Sequence, residues 1–217
     1  MKIIDFLLEL FYPSRCAFCG KCVKSGEGMC IQCEKLLPYT GENNRKQHFA
    51  NVELCVSPLY YEGAVRKALL RYKFAGAASY SRIFAKISAK CIDETQISCD
   101  IITWVSLSRK RRRRRGYDQA QLLAESAAKE LGLPCEGLLK KTRDNPAQSS
   151  LKDAAARKAN VIGIYDAIHP EIIDGASILL VDDILTTGAT LRECVRVLRD
   201  AGAARVLCAT LAASDEK

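Results

Sequence analysis

The chain has 217 residues, 48% of them hydrophobic, and its 33 basic and 25 acidic residues give a net charge of +8. This length and apolar content suit one medium domain with a full core plus a small module. No apolar run approaches the roughly 20 residues of a transmembrane helix, so we expect no transmembrane segment, and the positive charge favours anionic ligands.

The first eleven residues predict an amphipathic helix that packs on the rest of the chain. Its apolar side chains share one helical face: Ile3, Phe6, Leu7 and Leu10. The segment contains Asp5 and Glu9, and no small-residue cleavage site follows it, which argues against a signal peptide. We therefore expect a cytoplasmic protein, with contact to a membrane surface as the alternative role of this helix.

Eleven cysteines without a secretion signal favour a reducing compartment, and their spacing favours a metal over disulfides. Two Cys-x-x-Cys pairs, Cys16/Cys19 and Cys30/Cys33, can each hold one side of a tetrahedral Zn²⁺ ion. Four thiolates leave no open position, which predicts a structural zinc; a redox cluster is the alternative. Cys22 could replace Cys19, but the symmetry of the two pairs favours a spare thiol.

Residues 40–50 are polar and aperiodic and predict a linker. Beyond it, strands and helices alternate. The predicted strands cover residues 54–61, 100–107, 138–141, 161–165, 178–181 and 205–211. The predicted helices cover residues 64–74, 80–92, 118–131 and 191–200. Asp118 and Gly132 are the expected caps of the third helix. This alternation predicts an α/β fold with a parallel sheet covered by helices.

Seven consecutive basic residues, Arg109–Arg115, follow the strand predicted at residues 100–107. We expect a loop here. It is either a solvated basic loop, a site for an anionic ligand, or a surface that binds nucleic acid.

The segment 178–190, ILLVDDILTTGAT, combines a buried strand, two carboxylates and a turn that leads into a helix. Ligands of open α/β sheets bind where such strands end. Gly188 permits a positive φ, and the free amides at a helix N-terminus favour a phosphate. Two carboxylates that can bind hydroxyls beside a phosphate cradle predict a sugar phosphate as ligand.

This segment resembles the phosphoribosyl-pyrophosphate (PRPP) signature of type I phosphoribosyltransferases. The resemblance implies that Asp182 and Asp183, as catalytic residues, hold the ribose hydroxyls. It implies that the following loop wraps the 5′-phosphate with Thr186, Thr187, Gly188, Ala189 and Thr190. It also implies that the loop after an early strand binds pyrophosphate, and that Mg²⁺ accompanies PRPP.

An ordered set of motifs resembles the ComF family, also called ComFC or GntX-like proteins. The set comprises the two cysteine pairs, Tyr72-Lys73-Phe74, RGYDQAQLLA at 115–124, QSSLKDAAAR at 148–157 with Asn160, and the segment 178–190. The resemblance implies five pyrophosphate-binding candidates: Ser106, Arg115, Lys73, Gln148 and Arg157. Lys73 and Arg157 could equally be ordinary surface residues.

Two positions depart from the ComF pattern. Ser106 stands where the family commonly has proline, and Asp118 stands where it has asparagine. The extra negative charge of Asp118 would either weaken anion binding or help to hold magnesium.

The resemblance implies a zinc module at residues 1–45 and a phosphoribosyltransferase-like domain at residues 46–217. It also implies a competence and DNA-uptake protein that transfers phosphoribosyl from Mg-PRPP to an unknown acceptor. Only six residues follow Leu211, so we expect the zinc module, alone or with the Gln148 segment, to cover the acceptor if anything does.

Two alternatives stay open. In the first, the domain binds PRPP as a sensor without turnover, while the zinc module and the basic run contact single-stranded DNA or the DNA-uptake machinery. Three aromatic side chains could then stack on bases, or could equally form the core of the module: Phe11, Tyr12 and Phe18. A purely structural zinc-dependent adaptor is the third hypothesis.

Overall fold

A computed structural model describes residues 13–49, 51–144 and 162–214. The predicted N-terminal helix and several predicted functional residues lie outside these ranges: Phe11, Tyr12, Gln148, Arg157 and Asn160.

The elements follow one another in the predicted alternation. The strands are β1 Lys46–Phe49, β2 Val52–Val56, β3 Leu59–Tyr60, β4 Ile101–Trp104, β5 Leu139–Lys141, β6 Tyr165–Ala167, β7 Ser177–Leu185 and β8 Arg205–Ala213. The helices are α1 Ile31–Leu36, α2 Gly41–Arg45, α3 Gly63–Phe74, α4 Ser81–Glu94, α5 Arg109–Arg115, α6 Gln119–Leu131, α7 Pro170–Ile173 and α8 Ala189–Asp200.

The main sheet is parallel apart from one edge strand. Its order is β1-β2-β8-β7-β4, and β3 also pairs with β8. β2, β8, β7 and β4 run parallel, and β1 is antiparallel to β2. β7 therefore lies between two parallel neighbours, and the predicted α/β fold class is confirmed.

Both faces of β7 are buried, which explains why its sequence lacks polar alternation. Leu179 and Val181 point into the core shared with α3, α4 and α6. Ile178 and Leu180 point into the second core, which α8 covers. The strand is therefore fixed on both faces before it reaches the two aspartates.

The linker predicted at residues 40–50 is wrong. Residues Gly41–Arg45 form α2, and Lys46–Phe49 form β1, which pairs with β2. β1 alternates between exposed and half-buried residues because it lies at a sheet edge and packs on one face only. Such a strand contains too few apolar residues to be recognised from its sequence.

The loop predicted for the basic run is also wrong, since Arg109–Arg115 form the helix α5. The hydroxyl of Ser108 accepts the amide of Arg111 at 3.3 Å and caps the N-terminus. Gly116 ends the helix with a φ of 85°, a left-handed conformation that suits glycine. Arginine is a good helix former, and these two caps define a short helix.

The remaining predicted elements are present with shifted ends. The strand predicted at 54–61 is split into β2 and β3, with Pro58 between them. The strand predicted at 161–165 is displaced to β6, which forms a separate antiparallel pair with β5. Asp118 accepts the amide of Gln121, and Gly132 adopts a left-handed conformation, which confirms both predicted caps of α6. Within the described ranges, no helix has the length and apolarity needed to cross a membrane.

Candidate active site and metal centre

A cavity of about 620 Å³ opens beside the C-terminal ends of β4 and β7. Its walls come from α3, the segment after β4, α5, the start of α6, β5, and the turn from β7 into α8. This is the edge of a parallel sheet at which ligands bind.

Asp182 and Asp183 both line this cavity, but they lie within β7 rather than beyond its end. The strand is longer than predicted because it stays paired with β8 as far as Leu185. The carboxylate of Asp182 accepts the amide of Asp183 at 2.8 Å. Burial and the charge of Asp183 raise the pKa of Asp182 to about 8.

Lys73 of α3 forms an ion pair with Asp183, with 2.9 Å between Nζ and Oδ1. Its positive charge partly offsets the two adjacent carboxylates and acts to lower the pKa of Asp182. The structure therefore places Lys73 beside the two adjacent carboxylates, whereas the sequence resemblance implied a pyrophosphate contact.

The turn after β7 has the geometry of a phosphate cradle. Gly188 caps α8 with a φ of 68°, and the cavity is lined by Thr186, Gly188, Ala189 and Thr190. A Cβ atom on Gly188 would lie 2.6 Å from the ring of Phe49, so both the backbone angle and the space require glycine. Thr187 belongs to the same turn but does not line the cavity.

Four cationic side chains line the same cavity: Lys73, Arg111, Arg115 and Lys141. Arg115 donates to the amide oxygen of Gln119 at 2.6 Å, and its guanidinium lies 4.9 Å from the ring centroid of Phe74. The predicted contribution of Arg115 is thus geometrically feasible. No sequence feature distinguishes Arg111 from the other residues of the basic run.

Lys141 is a site residue that the sequence analysis missed. Its Nζ lies 5.2 Å from the ring centroid of Tyr165, and burial, followed by the charge of Arg111, lowers its pKa to about 8. It ends a short, weakly patterned strand and belongs to no motif. Its proximity to the site arises from tertiary contacts, which include the pairing of β5 with β6 and the hydrogen bond from its amide to Ser106.

Ser106 and Asp118 organise the segment after β4. The hydroxyl of Ser106 lines the cavity and accepts the amide of Lys141 at 3.1 Å. Asp118 is 4% exposed; it accepts the amide of Leu107 at 2.7 Å through one oxygen and that of Gln121 at 3.3 Å through the other. Its carboxylate therefore has the structural role expected of an N-cap and also holds the amide of Leu107.

Several polar atoms around the cavity are buried and have no hydrogen-bond partner within the described part of the chain: Arg115 Nε, Gln119 Nε2 and Thr187 Oγ1. Buried polar groups are normally paired.

The four predicted zinc ligands come together. The sulfur atoms of Cys16, Cys19, Cys30 and Cys33 all lie within 4.8 Å of one another. A tetrahedral zinc with bonds of about 2.3 Å needs sulfur atoms roughly 3.8 Å apart. Burial acts to raise the pKa of the Cys16 thiol, but backbone amide hydrogen bonds lower it to about 6, which favours the thiolate that zinc binds. The exposed Cys22 is not part of this cluster.

The described part of the zinc module packs on the helices and does not line the cavity. Phe18 is 2% exposed, and its ring centroid lies 5.8 Å from that of Phe84 in α4. Of the two roles expected for Phe18, base stacking or a place in the core, the structure shows the place in the core. None of the described residues 13–49 lines the cavity, so the expected cover over the acceptor is not formed by the described part of the module.

Comparison with known proteins agrees with this two-part architecture. The family model for a double zinc ribbon domain matches residues 7–44, and that for a phosphoribosyl transferase domain matches residues 118–217. Competence protein F of Haemophilus influenzae is 28% identical over 218 residues, which covers 88% of this chain and 93% of that protein. DNA utilization protein YhgH of Escherichia coli is 28% identical over 222 residues, 94% of each chain.

The chain belongs to the ComF family. This ComF protein also has structural neighbours among solved structures. Glutamine PRPP amidotransferase from Bacillus subtilis is 23% identical to it, with a TM-score of 0.45. That match covers 65% of this chain and 30% of the neighbour.

Proposed function

We propose that this ComF protein binds PRPP with magnesium and transfers the phosphoribosyl group to an acceptor, with release of pyrophosphate. The observation that carries this proposal is one cavity that contains an adjacent carboxylate pair, a glycine-capped helix N-terminus and four cations. The cavity thus offers complementary groups for sugar hydroxyls, for a terminal phosphate and for a pyrophosphate.

In this proposal each part of PRPP meets a different wall of the cavity. Asp182 and Asp183 accept the ribose hydroxyls, and the amides at the start of α8 hold the 5′-phosphate. Arg111, Arg115 and Lys141 hold the pyrophosphate, because cations stabilise the charge that develops on this leaving group. The carboxylates also stabilise positive charge that develops at the anomeric carbon.

Magnesium fits the donor set of this site, since it binds carboxylate and phosphate oxygens and usually keeps several waters. When bound, it would spread the charge of the pyrophosphate. Asp182 and Asp183 are the carboxylates of the cavity that could contact it, because both oxygens of Asp118 are bonded to backbone amides.

The acceptor side of the site is formed by α3. Leu70 and Phe74 line the cavity, and Phe74 is 62% exposed although it is a large aromatic residue. Because an exposed apolar surface beside a polar site favours ligand contact, we place the acceptor against these two side chains.

We also propose that residues 1–45 form the zinc module and residues 46–217 the catalytic domain. This boundary is supported by β1, which starts at Lys46 and joins the main sheet. The cysteine cluster needs reduced thiols, as in the cytoplasm, where we propose that the protein acts.

A second candidate function is PRPP sensing coupled to nucleic-acid binding. It is favoured by a cleft of about 420 Å³ that adjoins the main cavity and shares Lys141 with it. The cleft is lined by five cations and one carboxylate: Arg109, Lys110, Lys140, Lys141, Arg143 and Asp144. Such a surface could hold the phosphate backbone of a single strand.

Calorimetric titration of Mg-PRPP into the zinc-replete protein tests the common part of both proposals. We expect binding by the wild type and none by the folded Asp182→Asn/Asp183→Asn variant. Absence of binding to the folded wild type would refute both the enzyme and the sensor.

Pyrophosphate release then separates the two functions. An enzyme releases pyrophosphate with at least one member of an acceptor panel of nucleobases, pyridine carboxylates and amines. A sensor releases none with any acceptor, and instead binds single-stranded DNA with an affinity that falls steeply as salt rises.

A further inference from the structure

The last turn of α3 connects the zinc module to the proposed PRPP site. Four consecutive residues, Arg71 to Phe74, contact four different parts of the protein. Arg71 contacts the zinc module, Tyr72 contacts the start of α6, Lys73 contacts Asp183, and Phe74 contacts Arg115. A displacement of this turn would therefore move side chains that line the cavity.

Arg71 makes the contact to the zinc module. Its Nη2 donates to the carbonyl oxygens of Ala17 at 2.6 Å and Phe18 at 2.9 Å. These two residues lie between Cys16 and Cys19, so the carbonyls belong to the turn that presents two of the four sulfur atoms. The turn between Cys16 and Cys19 sets the direction of these carbonyl groups, and a bound metal would hold both ends of that turn.

The turn of α3 is held at its other side by α6 and the segment before it. The hydroxyl of Tyr72 donates to the carbonyl of Gln119 at 2.8 Å, and the hydroxyl of Tyr117 donates to the carbonyl of Tyr72. The latter bond satisfies one of the carbonyls that a helix leaves unpaired at its C-terminus. Among the described side chains of residues 71–74, only that of Arg71 forms a hydrogen bond with the turn that contains the cysteines.

We propose that Arg71 is a positioning residue for the PRPP site. By holding the last turn of α3 to the carbonyls of Ala17 and Phe18, it sets the place of Lys73 against Asp183. The zinc module is then a support that sets the geometry of the ribose-binding carboxylates. This inference rests on the proposed function, since it assumes that Asp183 binds the ribose.

Arginine suits this role better than an apolar residue of the same length. The guanidinium lies 5.9 Å from the ring centroid of Tyr80, so it is held between an aromatic face and two carbonyls. Loss of the guanidinium would leave two partly buried carbonyl oxygens without their donor. Arg71→Lys retains a donor for them, whereas Arg71→Met retains only the length of the side chain.

A double-mutant cycle of Arg71→Met and Lys73→Met, with PRPP affinity measured by calorimetry, tests the proposal. We expect Arg71→Met to weaken PRPP binding about tenfold, within the range usual for coupling between sites. Zinc content should stay at the wild-type value, and Arg71→Lys should restore most of the affinity. In the Lys73→Met background, Arg71→Met should have little further effect, because it acts through Lys73.

The matched control is Arg66→Met, the same substitution at an exposed position of the same helix. It should leave the PRPP affinity unchanged. Wild-type affinity in Arg71→Met would overturn the proposal. An equal loss in both backgrounds of the cycle would also overturn it, because a general structural role adds to the effect of Lys73→Met. If Arg71→Met does not fold, the same cycle is run with Arg71→Gln, whose shorter polar side chain also removes the guanidinium, and its coupling to Lys73→Met decides in the same way.

Hydrogen exchange without ligand separates this inference from the proposed function. Arg71→Met should speed amide exchange in peptides that cover residues 67–75 and residues 180–190, and Arg66→Met should affect neither. If the wild type binds no PRPP, the proposed function fails while the exchange data still decide the coupling. Unchanged exchange at residues 180–190 in Arg71→Met would refute it.

Discussion

At the scale of single residues, Asp182 lowers the folding stability of the protein at a position that we propose to be functional. Its pKa is raised to about 8 from an ordinary value of 3.8, first by burial and then by Asp183. The native state therefore retains a proton that the unfolded chain has lost between about pH 4 and pH 8. Stability consequently falls as pH rises through this range. A site with this cost is consistent with a functional rather than a structural role.

Asp182→Asn should therefore stabilise the protein while it abolishes PRPP binding. We expect the melting temperature to rise by at least about 2 °C at pH 8, since 1 kcal/mol shifts it by roughly 2–4 °C in a chain of this size. The gain should be smaller at pH 6. Differential scanning calorimetry at both pH values measures it, with the exposed Asp166→Asn as control. An equal gain at both pH values would contradict the assigned pKa.

Lys141 should act on the pyrophosphate rather than on the sugar. It lies beside Ser106 and shares the cavity wall with Arg111. We expect Lys141→Met to weaken PRPP binding about tenfold, the equivalent of roughly 1.4 kcal/mol, and to leave ribose 5-phosphate binding nearly unchanged. The neighbouring Lys140, exposed and outside the main cavity, provides the control Lys140→Met. Equal losses for both ligands would place Lys141 elsewhere in the site.

At the scale of elements, an edge strand supports the phosphate turn. Phe49, the last residue of β1, contacts Gly188 at the start of α8, and the guanidinium of Arg192 lies 5.7 Å from its ring centroid. β1 thus fixes the turn that we propose to hold the 5′-phosphate. β1 lies in the segment predicted to be a linker, and it supports the site.

Gly188→Ala should lower both the melting temperature and the affinity for ribose 5-phosphate. The left-handed φ costs about 1–2 kcal/mol for a residue with a Cβ atom, and the clash with Phe49 adds to it. Gly163→Ala is the matched control, because Gly163 has the same φ of 68° and no heavy atom within 4 Å of an added Cβ. Both variants can be compared by thermal unfolding and calorimetry. If they lose the same stability, the contact with Phe49 has no energetic effect; partial rescue by Phe49→Ala would confirm it.

At the scale of the whole molecule, the zinc module and the helices share one core. Cys16, Ala17 and Phe18 are buried in the same cluster as residues of α3, α4 and α6. The module is therefore not an independent appendage, and loss of the metal should destabilise the main domain as well. The fold thus links metal binding to the stability of the entire chain.

Cys16→Ser should release zinc and lower the melting temperature, whereas Cys22→Ser should keep one zinc per chain and the wild-type stability. The reason is that the sulfur of Cys16 belongs to the tetrahedral cluster and that of Cys22 does not. Elemental analysis and thermal unfolding of both variants test this expectation. Loss of zinc in Cys22→Ser would instead make Cys22 a ligand.

The sequence by itself determined the features whose physical cause is local. Two cysteine pairs specify a tetrahedral site through their spacing, and a continuous apolar strand before Asp182 and Asp183 specifies a buried parallel strand with carboxylates near its end. The caps Asp118 and Gly132 define α6 because capping depends on neighbouring residues only.

Only the tertiary structure decided which distant residues share the site. The ion pair of Lys73 with Asp183, the position of Lys141 and the contact of Phe49 with Gly188 all depend on strand pairing and helix packing across the chain. The same packing buries Phe18 and places the described part of the zinc module against α3 and α4. These contacts join residues far apart in the chain, and no local pattern of side chains encodes such a contact.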